Sequence, residues 1–377
     1  MSQASGNGLS VDEVAALATR LAASGARLTP RGRRTADLAS TGGPTSLSTL
    51  LCPPMLAAAG WDVPKLGVPG RPAGGVDVLA GIRGYGVCLD ADAAAAVLAR
   101  CGYVHVDAGA TFAPEDAALF RYRQSVGAQA VVDLAIASLL SKKLAMGVRR
   151  VGLEVRVAPH GNFGNDLTTA RAAAVRFVEV AAALGLDAVC VLTDATRPFQ
   201  PYVGRGEALV ALRRVIEGTE EDWLGGHLAD CATMAGVVGG AASGAPDRAS
   251  IAVAAIANMD AQGGSLEALR ERAAAVERGH VRTVASPAAG VLAYDLSQLR
   301  SAVGAAQGAT GGPGWPDEAG VVLLARPRSA VAPGETLMTV RCPDRAWPAM
   351  RDALAAAVRF GHAAEAPRGV ILGVVGV

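Results

Sequence analysis

Apolar residues recur at helical spacing over most of the chain, and short apolar or alternating runs separate several of these segments. SVDEVAALATRLAASG (10–25) is the clearest predicted helix, with a serine cap, acids in its first turn and a glycine at its end. DADAAAAVLARCG (90–102), APEDAALFRYRQSVG and AQAVVDLAIASLLSKKLAMG (128–147) are further predicted helices.

Strand patterns lie between the helices. GYVHVDA, VRRVGLEVRVA and DAVCVLTD are predicted strands, and the last two flank the predicted helix TTARAAAVRFVEVAAALG. A β-α-β order favours parallel pairing of the two strands. Helical segments, beginning with GEALVALRRVIEG, continue to about residue 279. The alternation of helices and strands predicts an α/β fold.

The pattern changes at about residue 281. VRTVASPAAGVLAYDL and ETLMTVRC are predicted strands, and the Gly- and Pro-rich connection GAAQGATGGPGWPDEAG lies between them. A predicted helix, AWPAMRDALAAAVRFG, and a last strand, GVILGVV, complete the chain. These elements predict a C-terminal α+β portion over 281–377.

Composition narrows the function classes. The formal net charge is +1 and aromatic residues make up 4% of the chain, so neither nucleic acid nor an anionic membrane is expected as a partner. The six cysteines are scattered, without CxxC pairs or paired histidines. They predict buried thiols and no disulfide or metal framework. Because no signal-peptide pattern is present at the N-terminus, we expect a cytoplasmic globular protein.

The first candidate binding element is STGGPTSLSTL (40–50), called the STGG loop below. Gly42 and Gly43 let backbone amides approach a ligand closely, and hydroxyl residues surround them. The loop enters a predicted helix, whose unpaired N–H groups attract anions. This pattern fits a phosphate-binding loop or an ordinary helix cap. It is not a Walker loop, because no GKS or GKT follows.

The second candidate element is the predicted helix 128–147. The chain has three lysines, and two of them, Lys142 and Lys143, stand side by side in this apolar segment. Ser138 and Lys142 are four residues apart and share one helical face. Since burying an unpaired lysine is costly, Arg123, Ser138 and Lys142 at one cleft would suit a planar ligand with carbonyl acceptors. The alternative is a helix that emerges into solvent at the lysines.

Three stretches together resemble the pyrimidine nucleoside phosphorylase family, which includes the thymidine and AMP phosphorylases. They are DLASTGGPTSLSTLLCPPMLAAAGWDVPK, APEDAALFRYRQSVGAQAVVDLAIASLLSKKLA and VLTDATRPFQPYVGRGEALVAL. VRTVASPAAGVLAYDL through APGETLMTV is similar to the family's last domain. The Arg…Ser…Lys element with its SKK signature is specific, whereas STGG alone is not. The more distant anthranilate phosphoribosyltransferases share a similar architecture, but their diphosphate and Mg²⁺ ligands are not recognisable here.

The resemblance implies two lobes with a substrate cleft between them. The small helical lobe would comprise 1–37 and 115–147, and the large α/β lobe 38–114 and 148–280. The family cleaves an N-glycosidic bond with inorganic phosphate as co-substrate and without a resident cofactor. The products are a free base and an α-pentose 1-phosphate.

The family's base-binding residues fall on Arg123, Ser138 and Lys142, and Lys143 is expected to be a surface neighbour. The candidate phosphate-binding residues are Ser40, Thr41, Gly42, Gly43, Ser48, Thr49, Lys65 and Arg71. His160, in APHGNFGNDL, is either a substrate-binding residue or an ordinary loop residue.

The chain departs from the family in its phosphate loops. Leu38 stands where the family has a lysine, and Ala39 where it often has a histidine. The next loop, KLGVPGRPAGGVD, is shortened and has Gly67 or Val68 and Gly75 in place of hydroxyl residues. The resemblance therefore implies an intact base site and a depleted phosphate site.

Lys65 and Arg71, both in the shortened loop, would replace the missing cation or else face solvent. About one helix fits before residue 37, where the family has several that form much of its dimer contact, so homodimerisation is an open expectation.

The leading expectation is phosphorolysis of uridine or a sugar-modified uridine, as in the pathways of nucleoside-antibiotic producers. Two alternatives stay open. One is a phosphate-independent nucleoside hydrolase or glycosyl transferase on the same scaffold, and the other is a catalytically silent nucleoside-binding homologue.

Overall fold

A computed structural model of the chain describes residues 8–30, 34–43, 45–70, 74–240, 246–308, 317–361 and 369–376. Helices and strands alternate along these residues, which confirms the predicted α/β class. The helices are α1 (Val11–Ala22), α2 (Ser48–Ala58), α3 (Gly75–Leu79), α4 (Ala91–Cys101), α5 (Pro114–Ser125), α6 (Val132–Ala145), α7 (Leu167–Ala183), α8 (Arg205–Glu217), α9 (Asp222–Gly239), α10 (Arg248–Ala261), α11 (Leu266–Arg278), α12 (Leu296–Ala306) and α13 (Trp347–Ala357). Within the described ranges, no helix combines the length and the apolar character needed to cross a membrane.

Most of the strands belong to one central sheet or to the C-terminal part of the chain. They are β1 (Ala36–Ser40), β2 (Val63–Gly67), β3 (Tyr103–Asp107), β4 (Arg150–Val157), β5 (Asp187–Asp194), β6 (Tyr202–Val203), β7 (Arg282–Ala285), β8 (Gly290–Tyr294), β9 (Gly320–Leu323), β10 (Ala330–Val331), β11 (Thr336–Arg341), β12 (Val358–Gly361) and β13 (Ile371–Val375).

The central sheet is mostly parallel. Strand β4 pairs in parallel with β1 and with β5, as the β-α-β pattern predicted, and β13 pairs antiparallel with β5 at the edge. Strands β2 and β3 form a parallel pair, and a bridge between Thr35 and Asp62 joins β2 to the start of β1. The carboxyl ends of β1 to β4 therefore lie at one edge of the sheet, where ligands bind in open α/β folds.

Local sequence explains where the helices near this edge begin and end. Helix α1 starts with a reciprocal capping box, in which Ser10 accepts a hydrogen bond from the Glu13 amide and the Ser10 amide donates to the Glu13 carboxylate. The helix predicted over 128–147 begins later, at Val132, because the preceding residues form a turn after α5.

Two short strands, β1 of the central sheet and β2 of the two-stranded sheet with β3, were not predicted. Each has five residues, of which the first four are buried, so neither shows the alternation that marks a half-exposed strand. Lys65 was predicted to lie in a shortened loop, and this was wrong, because it lies within β2.

The hydrophobic core has three clusters. One cluster contains buried residues of α1, α6 and α7 together with residues of the central sheet. The second contains buried residues of α2, α8 and α9 together with other residues of that sheet. The third lies within the C-terminal elements. The assignment of the chain to a helical lobe and an α/β lobe stays a prediction.

The C-terminal portion exchanges strands with the rest of the fold across the predicted boundary at residue 281. Strand β6, which precedes the boundary, pairs with β9, and the last strand, β13, leaves the C-terminal elements to cover the edge of β5. Covering an open sheet edge satisfies its backbone groups and blocks pairing with other chains.

Candidate active site

A cavity of about 210 Å³ opens at the carboxyl ends of the parallel strands. Parts of β1, β2 and the STGG loop line it together with α5 and α6. Its lining holds six cationic side chains: Lys65, Arg123, Lys142, Lys143, Arg156 and Arg300. No Asp or Glu of the described residues is among the lining residues. The cavity is therefore suited to an anionic ligand or an anionic transition state.

All three lysines of the chain meet at this cavity. Lys65, Lys142 and Lys143 are 4%, 7% and 3% exposed, respectively. The expectation that Lys143 is a surface neighbour was wrong, because its ammonium group is buried against Asp37.

Helices α5 and α6 bring the predicted base-binding residues together. Arg123 lies on α5, Ser138 and Lys142 lie on one face of α6, and all three line the cavity. The Lys142 ammonium donates to the Ser138 hydroxyl at 3.0 Å. The four-residue spacing that predicted their shared face is thus a direct contact.

Arg123 is held by backbone carbonyl groups of the turn before α6. Its guanidinium donates to the oxygens of Gln129 at 2.8 Å, and of Ala128 and Leu134 at 3.3 Å each. An arginine carries five N–H donors, so these three bonds leave donor capacity for a ligand. Burial lowers the pKa of Arg123, against the opposing charge of Asp116.

Asp116 lies in the first turn of α5, where acids are favoured, but it also has a partner at the cavity. Its carboxylate is fully buried and accepts a hydrogen bond from the Lys142 ammonium at 2.5 Å. Asp116 and Arg123 are two helical turns apart on α5, so the same spacing argument would have placed both on the cavity side.

A second cationic group surrounds Asp37 on β1. Lys65 and Lys143 both donate to the Asp37 carboxylate, and Lys65 also donates to the carbonyl oxygen of Leu38 at 2.5 Å. Lys65 therefore places an ammonium group beside the position where the resembled family has its phosphate-binding lysine.

Burial and the charges of neighbouring side chains shift the pKa values of Asp37, Lys143 and the nearby His105. Burial alone would raise the pKa of Asp37, but Lys143 and Lys65 lower it to about 2. Burial lowers the pKa of Lys143 to about 8, although Asp37 opposes the shift. Burial, assisted by Lys65, lowers the pKa of the neighbouring His105 to about 3, so this imidazole is neutral at physiological pH.

The STGG loop lies at the cavity, with Ser40, Thr41, Gly42, Gly43 and Thr49 among the lining residues. Its phosphate-binding role stays a prediction. Gly42 and Gly43 have φ angles of 87° and 133°, which favour glycine.

Ser48 does not reach the cavity. Its hydroxyl donates to the buried carboxylate of Glu154 at 2.5 Å, and the Ser46 hydroxyl donates to the same group. The start of α2 thus already has an anion of the protein beside it, which is the reason why Ser48 is placed away from the ligand space. Burial would raise the pKa of Glu154, but Arg156 lowers it below the ordinary range.

The two glycines of the shortened loop have no room for a side chain. A Cβ atom on Gly67 would lie 2.5 Å from Val76 Cγ2, and one on Gly75 would lie 2.5 Å from His105 Cε1. The side chains of Val76 and His105 therefore occupy the space beside the two glycines, where the resemblance places the family's hydroxyl groups. Arg71, the other predicted cation of this loop, lies outside the described residues.

His160 lies near the STGG loop but does not line the cavity. Cys88 is exposed, contrary to the prediction of buried thiols, whereas Cys52, Cys190 and Cys231 are buried as predicted.

Comparison with known proteins shows similarity to thymidine phosphorylases. No family model matches the sequence. The chain is 32% identical to the thymidine phosphorylase of Agrobacterium fabrum over 215 residues, which cover 56% of this chain and 49% of that protein. It is 33% identical to the thymidine phosphorylase of Mycobacterium tuberculosis over 215 residues, covering 56% and 50%. This chain is similar to thymidine phosphorylases over a little more than half of its own length.

The predicted resemblance to pyrimidine nucleoside phosphorylases is thereby confirmed. The thymidine phosphorylase of Sinorhizobium fredii matches similarly, at 30% identity over 224 residues. The chain spans about half the length of the thymidine phosphorylases it matches.

A solved structure confirms the fold. The crystal structure of anthranilate phosphoribosyltransferase from Thermus thermophilus is similar at a TM-score of 0.51 and 19% sequence identity. The match covers 73% of this chain and 87% of the other. At this identity it supports the α/β architecture alone.

Sequence reasoning missed Asp37, Glu154, Arg156 and Arg300. The partners of these residues lie far away along the chain, and spacing within one helix cannot reveal them. One signal was available: Glu154 and Arg156 both belong to the predicted strand VRRVGLEVRVA, where a buried face makes a charged pair unusual.

Proposed function

We propose that the chain is a pentosyltransferase that cleaves a pyrimidine nucleoside with inorganic phosphate, giving the free base and an α-pentose 1-phosphate. The observation that carries the proposal is one cationic cavity where Arg123, Ser138 and Lys142 meet the STGG loop. The relationship to thymidine phosphorylases supports the same reaction.

The base site would act on the leaving group. Cleavage of the N-glycosidic bond leaves negative charge on the pyrimidine, which its carbonyl oxygens share. Arg123 and Lys142 would stabilise that charge more than the neutral substrate, and this difference lowers the barrier. Asp116 and Ser138 fix the Lys142 ammonium, so little reorganisation is needed during the reaction.

Phosphate would bind at the end of β1. Lys65 supplies an ammonium group beside Leu38, and the backbone of Gly42 and Gly43 is open to an oxyanion. Because phosphate is the attacking group, no protein nucleophile is required. The same cationic lining supports the expectation of small anionic co-substrates as partners.

The finer substrate assignment is uridine or a sugar-modified uridine. It is supported by the altered phosphate loop, where Gly67 and Gly75 depart from the family pattern. A homodimer is proposed on family grounds alone, and sedimentation of the purified chain measures it.

A second candidate function is a phosphate-independent nucleoside hydrolase. It is favoured by the tight packing of Val76 and His105 where the family's phosphate-binding hydroxyls would lie. In that case water, and not phosphate, would attack the sugar.

Release of free pyrimidine from uridine, thymidine and 5′-modified uridines, with and without phosphate, tests the proposal. We expect phosphate-dependent release, and an Arg123→Gln variant should lower kcat/KM by about a hundred-fold. Arg121→Gln is the matched control, because Arg121 is exposed on the same helix and does not line the cavity.

Lys142 needs a paired design, because replacing it alone leaves Asp116 buried without its ammonium partner. Lys142→Gln is therefore combined with Asp116→Asn, and thermal melting reports whether the pair still folds. A folded double variant with undiminished release would contradict the base-site assignment. Release at equal rates without phosphate would support the hydrolase, and nucleoside binding without any release would support a silent homologue.

A further inference from the structure

Helix α12, which was not predicted, brings a cation from the C-terminal portion to the cavity. Arg300 and Val303, one turn apart on α12, both line it. Among the described residues, Arg300 has no hydrogen-bond or ion-pair partner, although it is largely buried. The other five lining cations all bond to protein carboxylate or carbonyl oxygens.

Two further donors lie next to the STGG loop. The Arg156 guanidinium donates to the Gly43 carbonyl oxygen at 2.8 Å and to the Glu154 carboxylate. A Cβ atom on Gly43 would lie 3.7 Å from an Arg156 guanidinium nitrogen and 4.0 Å from His160 Nε2. The His160 Nε2 atom is buried and has no hydrogen-bond partner among the described residues.

Arg300, Arg156 and His160 influence one another's charge. Burial and the positive charge of Arg156 both lower the pKa of Arg300. Burial, followed by the charge of Arg300, lowers the pKa of His160, so its imidazole is neutral near pH 7 and one nitrogen carries a donor proton. Like charges held together in a partly buried place are unfavourable unless an anion joins them.

Apart from Glu154, which pairs with Arg156, Asp295 is the acid whose charge acts on this group, and it is bonded to other residues. Asp295 caps the start of α12 by accepting from the Gln298 amide at 3.1 Å, and it pairs with Arg359 at 3.4 Å. It opposes the pKa shift of His160 but forms no ion pair with Arg300. Since Glu154 already pairs with Arg156, Arg300 is the cation of this group that an external anion would pair with.

We propose that Arg300, with Arg156 beside it on the cavity wall, forms a binding site for a phosphoryl group next to the STGG loop. His160 does not line the cavity and would only support the site from behind. Guanidinium groups bind phosphoryl oxygens in pairs of parallel hydrogen bonds, and Arg300, unpartnered among the described residues, has such donors free at the cavity wall. The positive charge of Arg156 would add to the attraction. The site would supply the anion contacts that Leu38, Gly67 and Gly75 cannot. Its place in catalysis rests on the proposed function, whereas its affinity for a phosphoryl group does not.

Two sources of the phosphoryl group fit this chemistry: inorganic phosphate as attacking group, or the 5′-phosphate of a nucleotide substrate. Calorimetric titration of the purified full chain with inorganic phosphate, uridine 5′-phosphate and uridine distinguishes them. Each is titrated into the unaltered chain and into Arg300→Gln, Arg300→Lys and Arg351→Gln. Arg351 is the matched control, because it is exposed on α13 in the same portion of the chain and does not line the cavity.

Arg300→Gln should weaken binding of at least one phosphoryl ligand by about ten- to a hundred-fold, with the affinity for uridine unchanged. An equal loss of affinity for inorganic phosphate and for uridine 5′-phosphate would show that the site binds any phosphoryl group. A loss of affinity for uridine 5′-phosphate alone would assign the site to the 5′-phosphate of a nucleotide. Arg300→Lys should retain part of the affinity, since it keeps the charge but loses the paired hydrogen bonds. Among the described residues Arg300 has no hydrogen-bond or ion-pair partner, so its replacement leaves no partner unpaired. Arg300→Gln should therefore have the melting temperature of the unaltered chain.

Unchanged affinities for both phosphoryl ligands in Arg300→Gln would overturn the inference, and so would an equal loss in Arg351→Gln. Base release measured on the same samples separates the two proposals. Arginine-dependent phosphoryl binding without base release would leave the site standing and contradict the proposed function. Phosphate-dependent base release, together with unchanged affinities for both phosphoryl ligands in Arg300→Gln, would support the proposed function and contradict the site.

Discussion

A single carboxylate, Asp37, balances two of the three lysines of the chain. It lies on β1, fully buried, and accepts hydrogen bonds from Lys65 on β2 and Lys143 on α6. Three elements that are distant in the sequence are thus tied together at the cavity wall. Since one negative charge faces two positive charges, the group keeps a net positive charge that an incoming anion can use.

The lowered pKa of Lys143 predicts a pH dependence of anion binding. Lys143 is charged below about pH 8 and neutral above it, while Asp37, with a pKa of about 2, stays ionised throughout. The affinity of the cavity for sulfate, whose own charge is constant in this range, should therefore fall as the pH rises through 8. Calorimetric titration with sulfate between pH 6 and about 9.5 measures it.

Lys143→Met provides the control for this titration. It should bind sulfate more weakly at low pH and lose the step near pH 8, because the ammonium group that titrates there is gone. A step of the same size in Lys143→Met would assign the titration to another group.

At the scale of elements, short strands and helix starts replace the phosphate loop of the resembled family. Strand β2 ends at Gly67 and helix α3 begins at Gly75, and the side chains of Val76 and His105 fill the space beside both glycines. The buried His105 ring also accepts or donates a bond with the Tyr103 hydroxyl at 3.0 Å, which holds it in place.

Gly75→Ser tests whether this packing excludes a hydroxyl ligand. The new Cβ atom would meet the His105 ring at 2.5 Å, so we expect a loss of about 1–3 kcal/mol in the free energy of unfolding and no gain in phosphate affinity. Gly236→Ser is the control, since nothing lies within 4 Å of a Cβ atom at that position on α9. Urea unfolding measures both variants. A Gly75→Ser chain that is as stable as the control and binds phosphate more tightly would contradict this account.

Elements with local signals could be predicted, and those held by distant partners could not. Helix α1 carries its own capping box, and α6 carries the spacing that joins Ser138 to Lys142. Strands β1 and β2 are short and almost wholly buried, so their sequences lack a period. Helix α12 was hidden in a stretch interpreted as a strand and a connection, and Arg300 was missed with it.

The same limit applies to the candidate site. Arg123, Ser138 and Lys142 line one cavity, and the sequence pointed to them because one element of the resembled family contains all three. Their role in binding a base stays a prediction. Ser48 was expected there too, but its hydroxyl faces Glu154, which lies on β4, more than a hundred positions further along the chain. Whether Ser48 or its neighbour Thr49 lines the cavity depends on a distant partner such as Glu154. The spacing of residues along the sequence does not reveal that partner.

For the whole molecule, the C-terminal portion helps to form the cavity. It contributes Arg300 and Val303 to the lining, receives β6 from the preceding part and returns β13 to the central sheet. These crossings tie the anion-binding side of the cavity to the fold as a whole, so a cut at the predicted boundary near residue 281 would separate paired strands.

The central claim is that phosphate attacks the sugar in this cavity, and phosphorus NMR of a reaction with a pyrimidine nucleoside tests it most directly. We expect the inorganic phosphate signal to fall in step with base release while a pentose 1-phosphate signal of α configuration rises. Base release with an unchanged phosphate signal, and with free pentose as the other product, would contradict the claim.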